Sequence, residues 1–359
     1  MVNWTTAVHW IISVSNRDKA TSFDIAHLAG VSQSTVSRAL RGSPLVNKET
    51  RDKVQAIAAQ LNYKVDKNAS NLRRQQSGTL ALLLFEDPTS DDSLINPFFL
   101  SMLGSITKAS TKAGYDLLVS FQNLNDDWHA EYEDSKKADG IILLGYGDYM
   151  DYRDKLTKLE QQQTHFVRWG AHDPEHPGIS IGSDNVQGGF DITRHMIKLG
   201  RKHFAFIGGA HKGCPEFMDR YTGVCKALQM AGLAHHASMQ IEAISTEMSG
   251  YQATQTLLAS GQTFDALVCA SDLIAMGAMR ALRDNNISVP QQVAVAGYDN
   301  IPISSFANPA LTTVQQNTKL AGEILVENLI KLISGTEVSQ YLLPVDLVVR
   351  QSCGAALNA

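Results

Sequence analysis

The amino-acid sequence predicts an α/β protein in which a small all-α module precedes two parallel sheets flanked by helices. Two observations carry this prediction. Near the N-terminus, apolar residues recur at intervals of three and four, which is the period of an amphipathic helix. Beyond Thr79 the pattern changes to short continuous apolar runs separated by amphipathic stretches, which is typical of strands covered on both faces and joined by helices.

Composition narrows the class of protein. With 359 residues, 44% of them hydrophobic and 19% charged, the chain is long enough for more than one domain and resembles an ordinary globular protein. No apolar run approaches the ~20 residues that span a bilayer, and residues 1–20 lack the features of a signal peptide. We therefore expect a cytoplasmic protein without a membrane partner, with residues 1–20 as a disordered extension.

Charge is unevenly distributed along the chain. Residues 1–77 contain eleven Lys and Arg against five Asp and Glu, a net charge of +6. The remaining residues contain 20 against 31, a net charge of −11. A small basic module joined to an acidic body is the electrostatic pattern of a DNA-binding domain attached to a larger protein.

The stretch from Asp24 to Leu40, DIAHLAGVSQSTVSRAL, predicts two short helices around a tight turn. Gly30 suits the left-handed conformation at the end of the first helix, and Ser32 is a good N-cap for the second. Val36 faces inwards with Leu40, so the polar side chains of the second helix point outwards, where they suit the major groove of DNA. The predicted DNA-contacting residues of this helix-turn-helix are Ser32, Gln33, Ser34, Thr35, Ser37, Arg38 and Arg41.

The spacing of the apolar residues alone also allows an ordinary helical hairpin with a solvated face. The residue identities are more specific, because the pattern D-x-A-x-x-A-G-V-S-x-x-T-V-S-R-x-L resembles the headpiece of the lactose-repressor (LacI) family of bacterial transcription regulators. The resemblance continues almost to the C-terminus. It implies a two-lobed, periplasmic-binding-protein-like core behind the headpiece, with a small effector bound between the lobes.

A third helix and a linker follow the helix-turn-helix. Asn47 is expected to cap a helix that ends near Asn62. Residues 67–77 match the hinge helix of the family, which orders on DNA and wedges a leucine into the minor groove. By this resemblance, Ala69 and Leu72 join the DNA-binding residues. A plain polar linker is the alternative, and the family's usual proline before this segment is absent.

The domain boundaries follow from the apolar runs. These runs are Leu80–Phe85, Tyr115–Val119, Gly140–Leu144, His165–Trp169, His203–Ile207, Met239–Ile244, Phe264–Cys269 and Val293–Ala296. The chain is expected to pass again from one lobe to the other at Gln315–Gln316 and at Leu342–Pro344. The predicted domains are the helix-turn-helix domain at 21–66, the hinge at 67–77, and an effector-binding and dimerisation core at 78–352, with a first lobe of 78–182 and 317–341 and a second lobe of 183–316 and 342–352.

Candidate effector-binding residues lie where strands end, because ligands of open parallel sheets bind beyond the carboxyl ends of the strands. This rule selects Glu86, Asp87, Phe121, Tyr146, Trp169, Ser271 and Asp299. Asn96-Pro97-Phe98-Phe99 resembles the NPFF motif of the family, which places Phe98 at the cleft. The resemblance also adds Arg220, in DRYTG, and supports Ser271 and Asp299. Gln316, at a crossing between the lobes, is a further candidate, whereas Asp272 is expected to cap a helix.

These residue types suit a neutral sugar. Carboxylates and arginine form paired hydrogen bonds with neighbouring hydroxyls, and an aromatic face such as that of Trp169 packs against sugar C–H groups. An aromatic residue of the lobe core is the alternative interpretation of Trp169. We favour an α-glucoside such as maltose as the effector, with a purine or a sugar phosphate as the alternative.

Patterns of catalytic and metal-binding residues are absent from the sequence. It contains no H-E-x-x-H, G-x-S-x-G or P-loop motif, and its four cysteines lack metal or redox spacing. We therefore predict a non-enzymatic repressor of carbohydrate-utilisation genes without metal or cofactor, associated with the nucleoid as a homodimer on a palindromic operator. The lack of a leucine-heptad tail favours a dimer over a tetramer.

Two other classes of protein share part of this pattern. A periplasmic sugar-binding protein of a transporter shares the two-lobed core, but it would carry an export signal and no basic headpiece. A sugar-modifying enzyme would need a nucleophile or an acid–base pair, and the sequence offers neither.

Overall fold

The computed structural model describes residues 20–63, 76–86, 95–145, 149–171 and 177–355. The chain divides into two compact units, with the boundary between Gln75 and Gln76. Within the described ranges, no helix is both long and apolar enough to cross a bilayer. The predictions for residues 1–19, for most of the hinge including Ala69 and Leu72, and for Asp87 and Tyr146 lie outside these ranges.

The first unit is helical over residues 20–63. Its helices are α1 (Ser22–Ala29), α2 (Gln33–Leu40) and α3 (Lys48–Gln60). They pack around Ile25, Val36 and Val54, whose side chains are fully buried. Between α1 and α2, Gly30 adopts a φ of 67°, the left-handed conformation that this tight turn requires and that glycine adopts at little cost.

A parallel sheet forms the first lobe of the second unit. Its strands are β1 (Thr79–Leu84), β2 (Asp116–Phe121), β3 (Ile141–Leu144), β4 (Phe166–Trp169), β5 (Ile179–Ser183) and β11 (Tyr341–Leu343). Among the described residues their order in the sheet is β11-β5-β4-β3-β1-β2. The accompanying helices are α4 (Pro97–Ala113), α5 (Tyr149–Gln161) and α10 (Thr318–Ile333). Apolar residues are buried on both faces of this sheet, as expected for a parallel sheet between helices.

A second parallel sheet forms the second lobe. Its strands are β6 (Phe204–Ile207), β7 (Gln240–Ile241), β8 (Ala266–Cys269) and β9 (Ala294–Ala296), and among the described residues their order is β7-β6-β8-β9. The helices of this lobe are α6 (Asn185–Lys198), α7 (Pro215–Met230), α8 (Glu247–Ala259) and α9 (Asp272–Asp284). The carboxyl ends of β8 and β9 lead directly to two predicted site residues, Ser271 and Asp299.

The two segments that were predicted to cross between the lobes differ from the expectation. Thr313–Gln316 (β10) and Val345–Val348 (β12) pair with each other as an antiparallel ladder. Leu342, assigned from sequence to the second lobe, instead pairs through β11 with β5 of the first sheet. Pro344 separates β11 from β12, and because proline has no N–H to donate, the first sheet ends there.

Candidate functional site

The predicted DNA-binding face lies on α2. Ser34, Arg38 and Arg41 are exposed, whereas Val36 and Ala39 are buried on the opposite side of the helix. A short polar side chain and two guanidinium groups therefore point away from the core of the first unit. Such groups can donate hydrogen bonds to base edges or to phosphates.

Other polar groups of this face are already used within the unit. The Ser32 hydroxyl caps α2 by accepting a hydrogen bond from the backbone N–H of Thr35 at 3.2 Å. The Gln33 side-chain amide donates to Ser22 Oγ at 2.7 Å, and Arg41 Nε donates to the carbonyl oxygen of Ser37 at 3.1 Å. The Ser34 hydroxyl also lies 2.8 Å from that of Ser32. These bonds orient the face of α2, and the exposed Arg38 makes no side-chain hydrogen bond with the other described residues.

Two cations of α3 are also bound to the backbone. Lys53 Nζ donates to the carbonyl oxygen of Ala29 at 2.9 Å, and Arg51 Nη2 donates to that of Val46 at 3.0 Å. Ala29 is the last residue of α1, where helical carbonyl groups lack intrahelical partners. Lys53 and Arg51 therefore stabilise the fold of the unit.

Arg220 is the centre of a buried polar cluster in the second unit. Its side chain, on α7, has an exposed fraction of only 6%. Its Nε donates to Asn185 Oδ1 at 2.9 Å, and its Nη1 donates to the carbonyl oxygen of Ala270 and lies 3.5 Å from Asp299 Oδ1. The guanidinium also stacks on the ring of Tyr298, 3.8 Å from the centroid. These partners offset the cost of burying the charge.

Asp299 provides the carboxylate of this cluster. Its φ of 108° is unusual for a residue with a side chain. Gln316 Nε2 donates to Asp299 Oδ1 at 2.7 Å. Burial raises the pKa of Asp299 from 3.8 to about 6, although Arg220 and Gln316 act in the opposite direction. A guanidinium, a carboxylate and an amide therefore converge at one end of the second lobe.

A cavity of about 100 Å³ adjoins the cluster, and we call it the inter-lobe cavity. Its lining residues come from α4, the segment after β9, the end of β10 and the start of α10: Phe98, Ser101, Asp299, Asn300, Ile301, Gln315, Gln316 and Thr318. The Phe98 ring packs against Trp169 with 5.9 Å between the centroids. Small-molecule pockets have volumes of roughly 300 Å³ or more, so this cavity is too small for a ligand of that class unless it widens.

Three hydrogen bonds between described residues join the two lobes. They are Asn96 Nδ2 to Ser245 Oγ at 3.2 Å, the backbone N–H of Tyr149 to the carbonyl oxygen of Gly213 at 2.8 Å, and the backbone N–H of Ala171 to Glu216 Oε1 at 3.0 Å. Ser245 donates in turn to Ser271 Oγ at 2.9 Å, and Ser271 is the N-cap of α9. We call the first three contacts the inter-lobe hydrogen bonds.

The remaining predicted residues lie apart from the cavity or serve the fold. Glu86 is exposed beyond β1, and Phe121 ends the edge strand β2 with 39% of its surface exposed. Neither of them lines the inter-lobe cavity. Asp272 is fully buried and accepts a hydrogen bond from Thr313 Oγ1 at 2.6 Å, while Ser271 caps α9 in its place.

Sequence reasoning did not identify Asn185 and Ser245 as parts of the site. Asn185 follows β5, which the apolar runs did not reveal because Gly182 interrupts that run. Ser245 follows the predicted apolar run that contains β7. The rule that ligands bind beyond the carboxyl ends of parallel strands could therefore have selected it.

Comparisons with known proteins match both units. The model of bacterial regulatory proteins, lacI family, matches residues 23–66, and that of the periplasmic binding protein-like domain matches residues 193–353. The HTH-type transcriptional regulator RegA of Clostridium saccharobutylicum is 33% identical, covering 93% of this chain and 99% of RegA. The HTH-type transcriptional regulator CelR of Thermobifida fusca is 29% identical, and the match covers 94% of this chain and 100% of CelR.

Solved structures agree with this assignment. The Lac repressor dimer bound to operator and the anti-inducer ONPF has a TM-score of 0.78 at 28% identity, covering 94% of this chain and all of that one. A complex of the transcriptional regulator CelR with cellobiose has a TM-score of 0.70 at 28% identity, and the match covers 93% of this chain and all of that one. The headpiece, the two-lobed core and these relatives together show that the chain belongs to the lacI family of bacterial regulatory proteins and is a helix-turn-helix transcriptional regulator.

Proposed function

We propose that this regulator is a dimeric repressor of carbohydrate-utilisation genes that a small sugar releases from a palindromic operator. The observation that carries the proposal is the buried cluster of Arg220, Asp299 and Gln316 beside the inter-lobe cavity. Its donors and acceptors are matched to one another, and the same groups can pair with neighbouring sugar hydroxyls when the lobes part. Operator binding places the protein in the cytoplasm, on the nucleoid.

Operator recognition is assigned to α2, through Ser34 and Arg38, with Arg41 towards the phosphate backbone. Two such helices in a two-fold dimer read the two halves of a palindrome. Leu72 as a minor-groove wedge remains a prediction from the resemblance. It accords with the family but concerns a position outside the described ranges.

Effector control follows from the position of the cluster. Arg220, Asp299 and Gln316 belong to the second lobe and its connection, whereas Phe98 approaches from the first lobe. A sugar bound to both sides alters the relative position of the lobes. By thermodynamic linkage, a sugar that weakens operator binding is itself bound more weakly by the operator complex.

The test begins with a thermal-shift screen of maltose, cellobiose, glucose, glucose 6-phosphate and hypoxanthine on the full-length protein. We expect a neutral sugar to raise the Tm, with maltose as the favoured candidate and cellobiose included because CelR was solved with it. The same sugar is expected to lower the affinity for a palindromic duplex selected from a random library. Stabilisation by hypoxanthine or glucose 6-phosphate alone would overturn the assignment of a neutral sugar.

Arg220→Ala is expected to abolish the shift produced by the sugar while leaving duplex binding intact, because Arg220 is far from the headpiece in sequence and belongs to the other unit. Since this substitution leaves Asp299 buried without its cation, Gln316→Ala serves as a milder second variant. Arg194→Ala removes an exposed arginine of α6 and is the matched control. Normal sugar response in both cluster variants would show that the effector binds elsewhere.

A further inference from the structure

Asn96 links the two lobes through its side chain. Its Oδ1 accepts a hydrogen bond from the backbone N–H of Phe98 at 3.0 Å and so caps α4 in the first lobe. Its Nδ2 donates to Ser245 Oγ in the second lobe at 3.2 Å. Because Asn96 is only 6% exposed, water does not readily replace a partner that it loses in this arrangement.

Ser245 extends the link to a second helix. Its hydroxyl donates to Ser271 Oγ at 2.9 Å, and Ser271 caps α9 by accepting a hydrogen bond from the backbone N–H of Ile274 at 3.3 Å. The N-terminus of α4 in the first lobe is therefore joined to the N-terminus of α9 in the second lobe through three side chains. Separation of the lobes breaks this chain at the Asn96–Ser245 bond, because its other bonds lie within one lobe.

The segment that carries Ser245 is held in place locally. The backbone N–H of Ile244 donates to Ser249 Oγ at 3.1 Å, and that of Thr246 donates to the carbonyl oxygen of Ile244 at 2.7 Å. Thr246 is in turn the N-cap of α8 and accepts a hydrogen bond from the backbone N–H of Ser249. Ser245 therefore moves with the second lobe and does not follow Asn96 when the lobes part.

The other two inter-lobe hydrogen bonds have backbone donors, the N–H groups of Tyr149 and Ala171. Tyr149 is the first residue of α5 and Ala171 follows β4, so neither N–H belongs to the ladder of a helix or a strand. Both N–H groups become free to exchange with solvent when the lobes part. Of the three bonds, Asn96–Ser245 is the one between two side chains, so a substitution can remove it and leave both backbone donors in place.

Apolar contacts also hold the lobes together. Ile301 of the second lobe belongs to the buried core cluster of the first lobe, and Leu273 and Met276 of α9 pack against that cluster. These contacts remain when the Asn96–Ser245 bond is removed. Loss of the bond is therefore expected to shift the balance between joined and parted lobes and to leave the fold intact.

We propose that Asn96 and Ser245 form a latch that stabilises the closed arrangement of the lobes, in which the inter-lobe hydrogen bonds are made, and that thereby restricts entry of the effector. The inter-lobe cavity of about 100 Å³ is too small for a sugar unless it widens, so the sugar-binding arrangement is one in which the latch is broken. A state that is only partly populated binds its ligand with an apparent affinity reduced by that population. The effect on the sugar rests on the proposed function, whereas the effect on the lobes does not.

The first experiment measures hydrogen–deuterium exchange of the full-length protein without sugar, resolved to single amides by mass spectrometry. Ser245→Ala removes the acceptor of the latch, and Asn96→Ser keeps an N-cap residue for α4 but lacks the Nδ2 group that reaches Ser245. Both variants are expected to exchange the Tyr149 and Ala171 amides about two- to tenfold faster than wild type, the effect of one hydrogen bond on an equilibrium. The double variant is expected to be no faster than the faster single variant, because both substitutions remove the same bond.

Ser238→Ala is the matched control, because its hydroxyl donates to Gln262 Oε1 at 3.1 Å within the second lobe. It is expected to leave the exchange of the Tyr149 and Ala171 amides unchanged. The amide of Ile141, which donates to the carbonyl oxygen of His165 within the first lobe at 2.8 Å, is the internal reference. Wild-type exchange in both latch variants, equal acceleration at Ile141, or equal acceleration in Ser238→Ala would overturn the latch.

The second experiment measures sugar affinity by isothermal titration calorimetry, with maltose or, if the thermal-shift screen selects it, cellobiose. Both latch variants are expected to bind this sugar about two- to tenfold more tightly than wild type, and Ser238→Ala is expected to match wild type. Unchanged sugar affinity in both latch variants would overturn the restriction of entry. If no sugar binds wild type, the proposed function fails, and the exchange experiment still decides whether the latch exists.

Discussion

Two neighbouring residues of β4 show how the direction of a side chain determines what that residue contacts. Trp169 packs against Phe98 within the apolar core on one face of the sheet, whereas Arg168 points to the opposite face, as alternation along a strand requires. Arg168 is 1% exposed, and its Nε donates to the carbonyl oxygen of Pro177 at 3.3 Å. Among the described residues its two terminal nitrogens have no hydrogen-bond partner, so the buried guanidinium is only partly satisfied there.

Asp299 leads to a prediction about pH. Its pKa in the folded protein, about 6, lies above its ordinary value of 3.8, so the folded state holds this proton more tightly than the unfolded state does. The resulting stabilisation is fully present below about pH 4 and is lost as the pH rises through about 6, by at most about 3 kcal/mol. We expect Asp299→Asn, which does not titrate, to lose less Tm between about pH 4 and pH 7 than wild type.

Differential scanning calorimetry across that range checks this expectation. Asp284→Asn is the control, because Asp284 is an exposed carboxyl group at the end of α9 and its replacement leaves the cluster intact. The same slope of Tm against pH in wild type and Asp299→Asn would contradict a raised pKa at Asp299.

At the scale of elements, the helix ends and strands that depend on a local pattern of residues could be predicted from the sequence. Gly30, Ser32 and Asn47 marked the ends of the headpiece helices, and each of the eight apolar runs contains or overlaps a strand. The run at β5 escaped notice because glycine and serine interrupt it. Gly182 is required there, since a Cβ at this position would lie 2.1 Å from the carbonyl oxygen of Gly170.

Elements that depend on distant partners were not predictable in the same way. The pairing of β10 with β12 joins residues about thirty positions apart, and no local signal in Thr313–Gln316 specifies an antiparallel partner. Within the site, Arg220 and Asp299 were found by motif, but the support that Asn185 gives to Arg220 depends on α6 and α7 packing together. Such contacts follow from tertiary structure.

The exposed face of α2 gives a prediction at this scale. Arg38→Ala is expected to weaken binding to the selected palindrome by about 1–3 kcal/mol, roughly 5- to 150-fold, because Arg38 is an exposed donor on the predicted recognition helix. Fluorescence anisotropy at fixed salt measures the affinity, and sugar binding is expected to be unaffected. Arg194→Ala, an exposed arginine of the second unit, controls for the loss of one charge. Equal affinity of Arg38→Ala and wild type would remove α2 from the interface.

At the scale of the whole molecule, a groove of about 610 Å³ marks the surface of the second lobe. It lies between α9 and the segment after β9, where Ile303 is 55% and Phe306 is 84% exposed. Exposed apolar side chains of this size are typical of interaction surfaces. The proposed function requires a dimer, and this groove is where we expect a second copy of the chain to bind.

Phe306→Glu is therefore expected to convert the dimer to a monomer, because it places a charge in an apolar contact. The monomer is expected to bind the palindrome much more weakly, since the second headpiece no longer contributes. Sedimentation velocity measures the assembly state. Met230→Glu, at a methionine that is 78% exposed at the end of α7, is the control. A dimeric Phe306→Glu protein would place the contact elsewhere.

The inter-lobe hydrogen bonds have a kinetic consequence. In the proposed function, the sugar reaches the cavity of about 100 Å³ only after the inter-lobe hydrogen bonds break. The observed rate of sugar binding is then expected to reach a plateau at high sugar concentration, set by how often the lobes open. Dissociation of the proposed operator complex is expected to lag behind the arrival of sugar by this opening time.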